Sequence, residues 1–283
     1  MARKPRTEFP GAIYHVVNRG NYRKAVFQEP GSGEEIERAL FEAAESSNWW
    51  LHAYTIMPNH YHAVIETPDA NLSAGMHWLQ GTFASRFNRL HDERGHVFQG
   101  RFKSPLIEPG EVLRRVVDYV HLNPVRAGIC PLERLRGYAL SSYGKFWLEG
   151  RSERLVRSRF LDALGVPDSL DGMRAYEEWL AARKEADPEK EEQFRIALQR
   201  AWVLGSKEFR ESIQERFDQM EPAEDWGGAE LNEFLEGQWE RIVRGEMRER
   251  GLREEDRLSA PKLAGWKIEI SRRLRKETRA SNG

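Results

Sequence analysis

Two strand-like runs set only two residues apart constrain this chain more than any other feature. Trp49–Met57 (WWLHAYTIM) is rich in aromatic and β-branched residues, His60–Thr67 (HYHAVIET) alternates, and Pro58-Asn59 between them is a tight-turn pair. A connection that short permits only an antiparallel hairpin. Upstream, Ala12–Arg19 (AIYHVVNR) reads as a strand ended by Gly20-Asn21, and Glu34–Ser46 places Ile36, Leu40, Ala43 and Ala44 at helical spacing. Downstream, Leu72–Asp92 sets Met76, Leu79, Phe83 and Phe87 along one helical face, and Val97–Glu108 reads as a strand interrupted at Gly100. Glu111–Leu122 reads as a helix that Pro124 should stop, because the residue before a proline is pushed out of helical geometry. The order strand, helix, strand, strand, helix, strand, helix predicts an α+β, ferredoxin-like βαββαβα domain over residues 1–147, with one helix added to the split βαβ pattern.

After Trp147 the character changes. Gly165-Val166-Pro167-Asp168 and Ala186-Asp187-Pro188 are breakers, and the rest reads as charged amphipathic helices: Met173–Glu185, Glu189–Leu204, Lys207–Phe217, Glu230–Arg250 and Lys262–Arg279. Residues 148–283 are therefore expected to be an all-helical C-terminal region, a charged extension that names no chemistry of its own. The stretch Arg257–Gly283 carries eight basic and two acidic residues, a pattern shared by solvated helix faces and by DNA-binding tails.

Composition removes several classes of function. The chain is 40% hydrophobic and 31% charged, and no apolar run approaches the ~20 residues that a membrane-spanning helix needs. The basic start, Met1–Thr7, has no apolar segment behind it, so neither a signal peptide nor a membrane partner is expected. The single cysteine, Cys130, excludes an internal disulfide and a cysteine-built zinc site. A cytoplasmic protein is expected. All eight histidines lie before residue 122, which places any metal or proton chemistry in the N-terminal part.

Within that part, His60 and His62 stand two apart on a strand, so both imidazoles leave the same face of the sheet. Such a pair alone is more often incidental or satisfied in a core. Tyr119 and Asn123 stand four apart near the end of the last helix, on one face. A tyrosine hydroxyl with a pKa of ~10 is a poor nucleophile unless it attacks a centre made electrophilic for it. Asn123 offers a neutral oxygen that could complete a three-ligand site. Taken singly, Tyr119 is better read as a packed core aromatic, and Asn123 as a helix cap before Pro124.

Five segments in order alter that balance. Met57-Pro58-Asn59-His60-Tyr61-His62 carries the His-hydrophobic-His motif, and Tyr119-Val120-His121-Leu122-Asn123-Pro124-Val125-Arg126-Ala127-Gly128 reads as a tyrosine helix. Tyr14-His15-Val16 through Arg19-Gly20-Asn21, Val97–Ser104 and Ser141-Ser142-Tyr143 complete the set. Over about residues 8–147 the chain resembles the REP-associated tyrosine transposases, a branch of the single-tyrosine HUH transposases of insertion-sequence type. The resemblance implies a metal-dependent endonuclease and strand transferase on single-stranded DNA with hairpin or palindromic ends. His60 and His62, with Asn123 third, would hold one Mg²⁺ or Mn²⁺, and Tyr119 would attack to leave a 5′-phosphotyrosine and a free 3′-hydroxyl. Two imidazoles by themselves suit zinc or manganese at least as well as magnesium, so the hard ion is the family's choice. Location at the nucleoid and action as a monomer rather than a dimer follow from the same resemblance.

Arg19, Arg101 and Lys103 are candidates to grip phosphates, and Phe98 and Phe102 to stack on bases, although phenylalanine at alternate strand positions is more often core. His121 should be structural or touch DNA, and His15 has no derivable role. Leu263–Ala280 resembles the basic helix that precedes a helix-turn-helix element in some longer relatives, and the sequence stops at Gly283 before such an element, as a truncated copy would. Two other readings stay open: a domesticated palindrome-binding protein that does not cut, and a nickase like relaxases or replication initiators.

Overall fold

A computed structural model of the chain describes residues 7–184, 188–219, 239, 242–261 and 264–277. The hairpin dictates its centre. β2 (Trp50–Met57) and β3 (His60–Thr67) pair antiparallel, from Met57 opposite His60 to Trp50 opposite Glu66. β1 (Ala12–Arg19) lies along the other side of β3, with Arg19 opposite His60 and Val17 opposite His62. β4 (Leu106–Ile107) pairs antiparallel with β1, and β5 (Val203–Leu204) pairs parallel with β4. The order β2-β3-β1-β4 is that of the ferredoxin-like sheet, and β5 extends it at one edge.

α1 (Ser32–Ser46) and α2 (Leu72–His91) bury their expected apolar faces. They cover the face to which Tyr61 points, where Phe27 meets Tyr61 at 5.8 Å and Phe83 meets Phe98 at 5.6 Å between ring centroids. The approach of α2 is close enough to require a glycine: a Cβ on Gly75 would stand 2.1 Å from Cζ2 of the buried Trp49. α3 (Glu111–Arg126) covers the opposite face, onto which strand alternation turns His60 and His62.

Three local expectations are corrected. The helix is not stopped before Pro124 but runs to Arg126 with the proline inside it. A proline lacks the N–H that would bond the carbonyl four residues back, that of Val120. Here the Thr55 hydroxyl donates to the Val120 carbonyl at 2.9 Å instead, so β2 satisfies what the proline leaves open. Residues 97–108 are not one strand: only Leu106–Ile107 is regular, preceded by isolated bridges of Phe98 to Gly20 and Lys103 to Val17, with Gly100 at φ 67° bending the chain between them. Finally, the C-terminal region is helical but not purely so, because Val203–Leu204, expected at the end of a helix, forms β5.

The chain divides into two compact units, Glu8–Glu211 and a second drawn from Met1–Thr7 and Ser212–Gly283. The first contains the sheet together with α4 (Ser142–Lys145), α5 (Ser158–Leu164), α6 (Leu170–Lys184) and α7 (Pro188–Arg200), so it takes in most of the expected 1–147 domain and part of the expected extension. In it, Leu51 N–H donates to the Arg154 carbonyl and Val156 N–H to the Leu51 carbonyl, so the outer edge of β2 is paired by later chain. The second unit contains helical residues 242–249, a short helix Glu254–Ser259 and the helix Gly265–Glu277. Parts of the helices expected over 230–250 and 262–279 lie outside the described residues. Among the described residues, no helix is long and apolar enough to cross a membrane.

Candidate active site

The α3 face of β1 and β3 gathers three histidines and one tyrosine. His60 and His62, two apart on β3, have ring centroids 5.0 Å apart. On β1, His15 is aligned with His62: the rings are 7° from parallel, and His15 Nε2 lies 2.9 Å from His62 Nδ1. From α3, Tyr119 meets His62 edge-on at 5.7 Å and His15 at 6.2 Å. The histidine pair and the tyrosine, 57 residues apart along the chain from His62 to Tyr119, thus share one site. Asn123 sits one turn beyond Tyr119, buried, and its Nδ2 donates to the Tyr119 carbonyl at 3.1 Å.

Burial sets the electrostatics. It pulls His15 down to about 3 and His62 well below the usual imidazole value, the latter helped by the neighbouring His15, His60 and Arg19. His60 is pulled down to about 4, first by burial and then by the Arg19 charge. All three rings are therefore neutral near pH 7, the state in which an imidazole can ligate a metal. Burial likewise raises the Tyr119 hydroxyl above its ordinary value, against the opposing pull of Arg126 and Arg195.

His60 and His62 carry donor atoms of the kind a metal ion takes, and Asn123 carries an amide oxygen. The His60 Nδ1–H donates to the Asn59 Oδ1 at 2.7 Å, which fixes the tautomer and leaves Nε2 as a free lone pair. If His62 Nδ1–H donates to His15 Nε2, the Nε2 of His62 is free in the same way, and each ligating ring has the hydrogen-bonded partner that metal-bound histidines carry. Asn123 spends its amide N–H on α3 and keeps its oxygen. Among the described residues, no group of three or more His, Cys, Asp and Glu is arranged to hold a metal.

Several surrounding residues escaped the sequence reading. The Arg126 guanidinium lies over the Tyr119 ring at 5.1 Å and donates to the Tyr119 carbonyl at 3.2 Å. Its place seven residues on, two helical turns, was the available signal. Phe194 on α7 meets Tyr119 at 6.4 Å, Glu191 on the same helix pairs with Arg126 at 2.7 Å, and Tyr119 is left 8% exposed. Nothing in the sequence links α7 to Tyr119.

The DNA-contact candidates divide. Arg19 is half-buried beside His60, while Arg101 and Lys103 are exposed with the buried Phe102 between them. Phe98 packs against Phe27, Tyr61 and Phe83, so it belongs to the aromatic core rather than a stacking surface. His121 is fully buried, bonded to the Ser142 hydroxyl at 2.8 Å and the Tyr176 hydroxyl at 3.0 Å, and is structural. His52, in a register shift of β2, is buried with its Nε2 hydrogen-bonded to Glu66 at 2.8 Å.

Residues 9–123 match the family model described as IS200-like transposase. This segment is similar to the IS200-like transposases. Among solved structures, a REP-associated tyrosine transposase bound to a REP hairpin is similar to the chain at 19% identity and a TM-score of 0.45, over 54% of this chain and 90% of that one. A chain described as a transposase from Deinococcus radiodurans R1 is similar at 18% identity and a TM-score of 0.31, over 45% and 92%. No curated protein matches the chain. The matched segment takes in His15, the His60–His62 pair, Tyr119 and Asn123, whereas Arg126 and Phe194 lie beyond it.

Proposed function

We propose that the matched segment is a transposase domain, a metal-dependent single-strand DNA endonuclease and strand transferase, cutting near hairpins through a covalent tyrosine intermediate. The observation that carries this reading is Tyr119 packed edge-on against His62, on the face shared with His60. His60, His62 and Asn123 would hold one Mg²⁺ or Mn²⁺, which when bound supplies Lewis-acid polarisation of the scissile phosphate. Tyr119 attacks the phosphorus through Oη as the P–O3′ bond breaks, leaving DNA 5′-phosphotyrosine. The phenol gives up its proton to water, and the leaving 3′-oxygen takes one up from water to become a free 3′-hydroxyl. A 3′-hydroxyl can attack the phosphotyrosine in turn, releasing Tyr119 and restoring a phosphodiester. The bond energy is conserved in the covalent link, so no nucleotide triphosphate is consumed. The His15 ring and the Asn59 side-chain amide orient the histidine pair, and Arg126 holds the Tyr119 ring. Arg19, Arg101 and Lys103 offer charge to the DNA backbone.

The test uses the full chain with labelled single strands bearing hairpins from DNA flanking its gene, with Mg²⁺ or Mn²⁺ or with a chelator. A denaturation-resistant adduct that needs both the metal and Tyr119 is expected. Cleavage by Tyr119→Phe equal to that of the unaltered protein would end the assignment. A second reading is favoured by one feature, the burial of Tyr119 beneath Phe194: a palindrome-binding protein that does not cut. Tight binding without an adduct on any flanking hairpin would select it.

A further inference from the structure

Between β1 and α1 the chain makes a turn whose conformation its own packing does not explain. Tyr22 (φ 51°, ψ 23°) and Arg23 (φ 60°) are consecutive non-glycine residues in the left-handed region, an arrangement that costs free energy at each. The turn is held firmly. Asn21 N–H donates to the Val97 carbonyl at 2.7 Å, the Asn21 side chain bonds the His96 carbonyl at 3.2 Å and accepts from Tyr22 N–H at 3.0 Å, and Arg23 N–H donates to the Gly20 carbonyl at 3.0 Å. A Cβ on Gly20 would lie 2.6 Å from the Lys24 carbonyl oxygen, so the turn closes only with glycine there. Yet the strained residue buries nothing: the Tyr22 ring is 85% exposed, whereas every other tyrosine is buried or half-buried.

The turn is also fastened to the candidate active site. Gly20 N–H donates to the Asn59 carbonyl at 2.9 Å, and the Asn59 side chain both reaches the Arg23 carbonyl at 3.5 Å and accepts from His60 Nδ1. Arg23 and Lys24, next in sequence, are exposed. An aromatic face exposed to solvent on a firmly bonded turn, flanked by cations and one hydrogen bond from His60's partner, matches what unpaired DNA requires: a flat apolar surface for a base and positive charge for the phosphates. We propose that Tyr22 is a stacking platform for an unpaired base of the single strand entering the site, with Arg23 and Lys24 contacting the adjoining backbone. This inference rests on the single-strand reading above.

The test compares the full chain with its Tyr22→Ala, Tyr22→Trp and Arg23→Ala variants, by fluorescence anisotropy on labelled single-stranded DNA without secondary structure, across a salt series. Tyr22→Ala should bind roughly 5- to 150-fold more weakly, with the salt slope unchanged, since stacking releases no counterions. Tyr22→Trp should bind as the unaltered protein does. Arg23→Ala should lower the salt slope by about 0.7. Equal affinity of Tyr22→Ala and the unaltered protein, or equal weakness of Tyr22→Trp and Tyr22→Ala, would overturn the proposal while leaving metal- and Tyr119-dependent adduct formation standing. Failure of the unaltered protein to bind any single strand would remove both readings.

Discussion

His15 Nε2 lies 2.9 Å from His62 Nδ1, joining β1 to β3 through two nearly parallel, buried rings. For His62 to ligate through Nε2, its Nδ1 must carry the proton and donate it to His15. Among the described residues the His15 Nδ1 has no hydrogen-bond partner, so the bond to His62 is the one recorded for this ring, which also packs against Tyr119. His15→Phe should keep a ring of similar size but leave the His62 donor unmatched and free to turn. Manganese affinity measured by titration calorimetry is expected to fall about 10- to 100-fold. Unchanged affinity would show that His62 needs no partner.

The Thr55 hydroxyl is expected to matter because of a residue it never touches. Thr55→Val removes the donor to the Val120 carbonyl, which Pro124 cannot bond, and leaves a buried acceptor unmatched. A loss of about 1–3 kcal/mol in urea unfolding is expected. Adding Pro124→Ala restores an N–H to that carbonyl, so the double variant should recover part of the loss. Strict additivity of the two substitutions would refute the coupling.

Acid should weaken the metal-free protein through His121. Burial pulls this imidazole down to about 3, among Tyr143, Tyr176, Phe146 and Phe160, with Ser142 and Tyr176 bonded to its nitrogens. Asp118 stands behind Tyr176. The unfolded chain protonates near 6.5, so it binds the extra proton below that pH. The contribution of neutral His121 is intact above about pH 6.5 and is lost as the pH falls towards 3, at about 1.4 kcal/mol per unit. His121→Phe should show a shallower acid slope than the unaltered protein in paired denaturation series. Parallel slopes would mean that His121 titrates normally.

Access to Tyr119 should be limited by α7. A phosphate cannot reach a nucleophile covered by Phe194 without displacing that ring. Phe194→Ala is expected to speed adduct formation several-fold while preserving its dependence on Tyr119. An unchanged rate would place the slow step elsewhere.

What could be read in the sequence follows from where each signal resides. β1 and β3 carry their bounds in local alternation and turn chemistry, and the structure reproduces both, Ala12–Arg19 and His60–Thr67. The helical faces of α1 and α2 were equally plain, because their burial repeats every three or four residues. Pro124 misled because its missing bond is replaced by Thr55, far away in sequence. The Val97–Glu108 run has strand composition, but Gly100 breaks its pairing with β1 into isolated bridges. In the candidate site, His60, His62, Tyr119 and Asn123 announced themselves through spacing and motif. His15 needed the pairing register to reveal its neighbour, and Phe194 needed the fold itself.

Both edges of the four-stranded array β2-β3-β1-β4 are paired by chain made later. Leu106 and Glu108 N–H groups donate to the Trp202 and Leu204 carbonyls, and Leu51 exchanges bonds with Arg154 and Val156. During synthesis from the N-terminus, β1, β2, β3 and β4 therefore exist for a time as a sheet with two bare rims, while the residues that seal the second rim are about a hundred positions away. Pairing that distant is slow, and open rims invite pairing with another nascent chain. The interval before Leu204 is made is thus the period in which this protein is most exposed to misassembly, and a chain ending at Trp147 would never leave it.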